Sequence, residues 1–132
     1  VLIEFHLDGR SGVPAYLQLV QQVRQAVRLG ILRPGDQLPT VKEVVATLTI
    51  NPNTVLHAYR QLDLEGLVEG RRGVGTFVAT GSAPVPVDDL KGLRSSLDRW
   101  VARARAAGLD DEGIRAVFAD AVRPEPMSRV VA

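Results

Sequence analysis

The sequence predicts an α+β fold: an N-terminal winged helix-turn-helix of three helices and a β-hairpin wing, then a short two-helix segment. Three observations predict it. A T-x-x-E capping box, Thr40 to Glu43, opens a short helix that the link "TINP" joins to an amphipathic run. Two short strand-like stretches flank Arg71-Arg72-Gly73. A purely helical pattern resumes beyond the Pro- and Gly-rich stretch "ATGSAPVPVDD", residues 79–89, which reads as a linker. The expected division is therefore 1–80 and 81–132.

The elements follow in order. His6 lies in an expected N-terminal strand. Pro14 suits the first turn of a helix, where its missing N–H costs nothing. Tyr16, Leu19, Val20, Val23 and Val27 then recur at three- and four-residue spacing, and Gly30 is a helix stop. "RPGDQLP" (33–39) is turn chemistry. The capped second helix is expected from about Val41 to Leu48. Asn51 caps a third helix that starts at Pro52 and runs to Gly66. At about 100° per residue, Val55, Ala58, Tyr59 and Leu62 share its core side, while Asn53, His57, Arg60 and Leu64 lie opposite. "LVEG" and "GTFVA" are the strands of the wing. Beyond the linker, Leu90, Leu93, Leu97, Trp100 or Val101, and Ala104 form a heptad-like stripe ending at Gly108. Asp110 caps the last helix, whose apolar face is Ile114, Val117, Phe118 and Ala121, closed by Pro124. Two short helices cannot make a core alone, so they are expected to pack on the first part or on a second copy of themselves.

Composition bounds the function. Hydrophobic residues are 45% of the 132, enough to bury a core, and 16 basic against 15 acidic side chains leave a net charge of +1. Any basic footprint must then be local. Cysteine is absent, which removes disulfides, thiolate catalysis and Cys-based zinc sites. The acidic clusters Asp88-Asp89 and Asp110-Asp111-Glu112 fall where helix N-termini are expected, so capping explains them better than metal binding. No nucleophile, base and oxyanion donor assemble, and neither enzyme activity nor a cofactor is expected. No apolar run approaches the roughly 18 residues of a membrane helix, and the first residues lack signal-peptide order, so a cytoplasmic protein is expected.

The outward stripe of the third helix is where chemistry concentrates. A helix entering the major groove reads bases mainly with its first turns. Asn53 sits there, and Asn pairs bidentately with adenine. Thr54 suits a phosphate or a thymine methyl, with His57 and Arg60 one and two turns on. N–H groups left free at Asn53 and Thr54 would favour a phosphate. At the wing, Arg71 and Arg72 suit phosphates or a narrow minor groove, and glycine lets the backbone approach. A solvated helix face and an ordinary charged turn are the bland alternatives for these two features.

Together, "PAYLQLVQQVRQAVRLGILRPGDQLPTVKEV", "NPNTVLHAYRQLDLEGLV" and "GVGTFV" resemble the GntR family of bacterial transcriptional regulators over residues 12 to 78. "NPNTV" with a short helical tail is similar to its YtrA subfamily. The resemblance implies a DNA-binding regulator, expected to be a repressor that binds an inverted-repeat operator as a homodimer, with no large effector domain in the 52 residues after position 80. It implies DNA contacts at Lys42, Asn51, Asn53, Thr54, Arg72 and Gly73, to which the residue chemistry adds His57, Arg60 and Arg71. It implies dimerisation through the tail helices, at Leu90, Leu93, Leu97, Trp100, Val101, Ile114, Val117 and Phe118. Three positions depart from the family pattern: Lys42 replaces an arginine, His57 a frequent basic residue, and Thr49 a glycine. A β-branched residue at a turn position that often needs positive φ is expected to be strained. Two other readings are a winged-helix protein-interaction module and a small-molecule sensor with its site between the tail helices, near Trp100 and Phe118.

Overall fold

Caps and apolar spacing set three helices against one another in the first part of the chain. In the computed structural model, which describes residues 3–81 and 88–125, α1 spans Ala15–Arg28, α2 Val41–Leu48 and α3 Pro52–Leu64. Thr40 and Glu43 exchange both bonds of the capping box, at 3.1 and 3.2 Å. Asn51 Oδ1 accepts the Asn53 N–H at 2.8 Å, with Pro52 in the first helical position. Pro14 stands one residue earlier than expected, as the N-cap of α1, and its carbonyl accepts the N–H groups of Leu17 and Gln18. The core gathers Leu19, Val20, Val23 and Val27 of α1 with Val55, Ala58, Tyr59 and Leu62 of α3, closed by Leu32, Leu38 and Val44.

Strands β1 (Val68–Arg71) and β2 (Gly75–Val78) form the antiparallel wing, with Val68 opposite Val78 and Arg71 opposite Gly75. Residues 33–39 do more than turn. Leu38 N–H donates to the Thr76 carbonyl at 2.8 Å, Gly35 N–H to Val78 at 2.9 Å, and Val78 N–H to Asp36 at 2.8 Å. This segment gives β2 a second neighbour and leaves less open edge. Its turn-rich composition concealed the pairing.

The expected strand around His6 is not formed. Residues 3–7 belong to no strand or helix, and two glutamines one turn apart on α1 hold the backbone at His6 and Asp8 instead. Gln22 accepts the His6 N–H at 3.1 Å and donates to the His6 carbonyl at 2.7 Å. Gln18, itself buried, treats Asp8 likewise, at 2.8 and 2.9 Å. An amide side chain carries one donor group and one acceptor, so it can imitate a strand neighbour. Ile3 and Phe5 are thereby held in the core.

The chain divides into two compact units, residues 1–86 and 87–132. The linker expected at 79–89 falls mostly on 82–87, outside the described residues. In the second unit, α4 spans Leu90–Ala106 and α5 Asp111–Val122. Asp110 Oδ1 caps α5 by accepting the Gly113 N–H at 2.7 Å. Asp89 does not cap α4 as expected: it lies at φ 57°, ψ 37°, and its side chain makes no capping bond. Trp100 and Phe118 meet edge-to-face, centroids 5.4 Å apart, beside buried Ala104 and Ile114. Among the described residues, no helix is long and apolar enough to cross a membrane.

Two features bear on stability, one at the end of α2 and one joining α3 to the residue before the α2 cap. Thr49, the C-cap of α2, stands at φ 55°, ψ 50°. A left-handed β-branched residue costs roughly 1–2 kcal/mol, partly offset in glycine by its greater unfolded freedom. Thr49→Gly should therefore stabilise the fold by about 0.5–1 kcal/mol in denaturant titration; a loss of stability would contradict the strain. Tyr59 donates its buried hydroxyl to the Pro39 carbonyl at 2.5 Å. Burial first, and then the negative charge of Glu43, hold its proton far above the ordinary phenol range. Because the folded pKa exceeds the unfolded one, this contribution is complete below about pH 10 and fades as pH rises beyond it. Tyr59→Phe should cost about 1–2 kcal/mol at neutral pH, and its stability should fall less between pH 9 and 11 than that of the unmutated chain.

Candidate nucleic-acid interface

Burying Val55, Ala58, Tyr59 and Leu62 turns the opposite face of α3 to solvent. Asn53 and Arg60 are exposed on it, and among the described residues Arg60 forms no ion pair and the Asn53 side-chain amide makes no hydrogen bond. Both groups are free to engage a partner. Lys42, in the first turn of α2, is likewise exposed and has no ion pair among the described residues.

The N-terminal turn of α3 differs from expectation. The Asn53 N–H is taken by Asn51 Oδ1, and the Thr54 N–H goes to the Asn51 carbonyl at 2.9 Å. These two donors are not free for a phosphate. Asn51 is committed to its cap through Oδ1, and half-buried Thr54 offers its hydroxyl. Whatever anion attraction this end has comes from the helix dipole and side chains.

His57 is exposed but not independent. Its ring stacks on Tyr16 of α1, centroids 3.8 Å apart and planes 13° from parallel. Ala15, Tyr16, Asn51, Asn53, Thr54 and His57 line one open depression there. The helical wheel placed Tyr16 on the core side of α1, and a pattern within a single helix gave no sign of this cross-helix stack.

The wing separates its two arginines. Arg71 Nη2 pairs with Glu69 Oε1 at 3.3 Å, and its guanidinium lies over the Phe77 ring, 4.2 Å from the centroid. Arg72 has no such partners among the described residues and occupies the turn itself, which the Val74 N–H closes onto the Arg71 carbonyl at 2.9 Å. Gly73 stands at φ +75° and Gly75 at φ +144°, both costly for other residues. At Gly75 a Cβ would also meet Gln37 Nε2 at 2.5 Å. The Gln37 side chain is exposed and can swing aside, so the positive φ is what favours glycine there.

On the far side of α1, Arg24 Nε pairs with Glu65 Oε1 at 2.7 Å. This ties α1 to the end of α3 and holds the Glu65 carboxyl below its usual range, chiefly through the Arg24 hydrogen bond. Sequence reading missed this brace, because the partners lie 41 residues apart.

Residues 15–78 match the family described as bacterial regulatory proteins, gntR family. The chain is 34% identical over 119 residues to the HTH-type transcriptional repressor YtrA of Bacillus subtilis (strain 168), spanning 86% of this chain and 92% of that protein. Its fold is similar to that of YtrA from Sulfolobus acidocaldarius, a GntR-family transcription factor, with TM-score 0.51, 28% identity and coverage of 96% and 99%. It is also similar to AraR(DBD) solved in complex with operator ORX1, with TM-score 0.52, 26% identity and coverage of 58% of this chain and 96% of that one. With a capped helix pair, an arginine-bearing wing and likeness along nearly the whole of such a repressor, the chain belongs to the gntR family of bacterial regulatory proteins and is a DNA-binding regulator of transcription.

Proposed function

We propose that the chain is a transcriptional repressor that binds an inverted-repeat operator as a homodimer, with the outer face of α3 in the major groove and the wing turn against the backbone or minor groove. The observation that carries this is the unpaired polar face of α3, Asn53 and Arg60, presented beside a wing whose Arg72 is also unpaired. Asn53 reads a base edge. Arg60, Lys42 and Arg72 meet phosphates, and Gly73 lets the turn approach closely. Asn51 and Thr54 support the first turn of α3, while His57 works from its stack on Tyr16. Arg71 has a smaller part, because Glu69 and Phe77 already hold it.

Dimerisation through the second unit is supported by its uncovered apolar side chains. Leu93 is 57% exposed and Val117 42%, with Leu90 also open and Leu97, Trp100, Val101 and Phe118 only half-covered. Ile114, at 6% exposure, is already covered within one chain and contributes from below. Two copies would present two α3 helices, with half-site centres about one helical turn or a multiple of it apart. A YtrA repressor among the relatives and an operator-bound neighbour accord with this reading.

The test is selection of bound fragments from a genomic DNA library, beside an Asn53→Ala/Arg60→Ala control. An inverted repeat enriched only by the unmutated chain is expected; equal enrichment by both proteins would remove α3 as the reading element. Single variants should divide by role. Arg72→Ala should weaken binding to all sequences and flatten the salt dependence, with Arg71→Ala doing less of both. Asn53→Ala should lose about 1–3 kcal/mol of discrimination at one base pair per half-site. In sedimentation, Leu93→Asp should shift the chain toward monomer and weaken operator binding while the first unit stays folded; an unchanged dimer would exclude this face as the interface.

A further inference from the structure

α3 carries two apolar side chains on its outer half, Leu56 and Leu64, that the core leaves uncovered. Leu56 is 43% exposed in the second turn. Successive positions advance about 100° and 1.5 Å along the helix, so Leu56 lies within about 60° of both Asn53 and Arg60. The three side chains span roughly 10 Å of axis, about the rise of three base pairs. They do not form one uniform stripe. On one flank His57 turns toward Tyr16 of α1. On the other, Leu56 borders an open hollow shared with Arg60 and Asp63 of α3 and with Gly70 and Thr76 of the wing. Leu64, the other bare leucine of α3, is 84% exposed but sits at the C-terminal end, away from the first turns that enter a groove.

The geometry points to Leu56 as a specificity-determining residue that reads the 5-methyl group of a thymine in each half-site. This rests on the proposed entry of α3 into the major groove. A leucine offers no hydrogen bond, so it cannot tell bases apart by donors and acceptors. The thymine methyl is the apolar group that the major-groove edge displays, and apolar side chains recognise it by contact. Asn53, three positions earlier, pairs with an adenine edge through its amide. Leu56 and Asn53 thus divide the reading between shape and hydrogen bonding, in a core of A·T character. The exposed leucine is dry only in the complex, and burying one methyl against it is worth about fourfold in affinity.

The experiment takes the operator enriched by the unmutated full-length chain and replaces each thymine, one at a time, by uracil, which removes only the methyl. Binding of the unmutated chain and of Leu56→Ala is measured on each fragment at two salt concentrations. The expected result is about a fourfold loss for the unmutated chain at one thymine per half-site, no loss at that position for Leu56→Ala, and equal salt slopes for the two proteins. An unmutated chain indifferent to every replacement would overturn the assignment, as would an equal loss in Leu56→Ala. Both measurements presuppose an enriched operator, so failure to obtain one counts against the proposed function and not against Leu56. Because the uracil series uses the unmutated chain, a poorly folded variant cannot mask the answer.

Discussion

The burial of Val55, Ala58, Tyr59 and Leu62 against α1 and α2 is the constraint on which the other features of the first unit depend. It decides which half of α3 faces water. Tyr59 extends this packing to the backbone, since its hydroxyl holds the Pro39 carbonyl just before α2 begins. Arg24 and Glu65 brace the far end of α3 to α1. A reading helix needs this rigidity, because side chains reach base edges usefully only when the backbone behind them is fixed to within a fraction of an ångström.

The same rigidity uses up groups that would otherwise be free to bind. The first N–H groups of α3 are taken by Asn51, and Arg71 is spent on Glu69 and Phe77. On the proposed reading, what remains for DNA is a smaller set: Asn53, the Thr54 hydroxyl, Leu56, Arg60, Lys42, Arg72 and the edge of a stacked His57. Thr49 shows the cost of the tight link. Its left-handed conformation lets α2 end and α3 begin within a few residues, and its N–H still bonds the Val45 carbonyl at 2.9 Å. The strain is local and leaves both helices intact.

Much of this was legible in the sequence because it depends on neighbours along the chain. The capping box at Thr40, the Asn51-Pro52 start of α3, the inner sector of α3 and the hairpin all follow from spacings of a few residues, while the left-handed Thr49 was implied by the family resemblance, which has glycine there. Pairings across the chain were hidden. The glutamine clasp on the N-terminal arm, the strand-like contact of residues 35–38 with β2, the Tyr16–His57 stack and the Arg24–Glu65 brace join residues 10 to 43 positions apart. Leu56 escaped for another reason. A lone leucine near the core edge of a helical wheel reads as packing, and only the folded structure shows that it is uncovered.

The central claim is that the outer face of α3 and the wing turn meet DNA together. Backbone amide NMR spectra of the full chain, recorded with and without the enriched operator fragment, test it most directly. The largest shifts should cluster at residues 53–60 and 71–75, with Lys42 and its neighbours following. The groove between the N-terminal arm and α2, around Phe5 and Thr47, should stay unchanged. Large shifts in that groove with α3 silent would contradict the account.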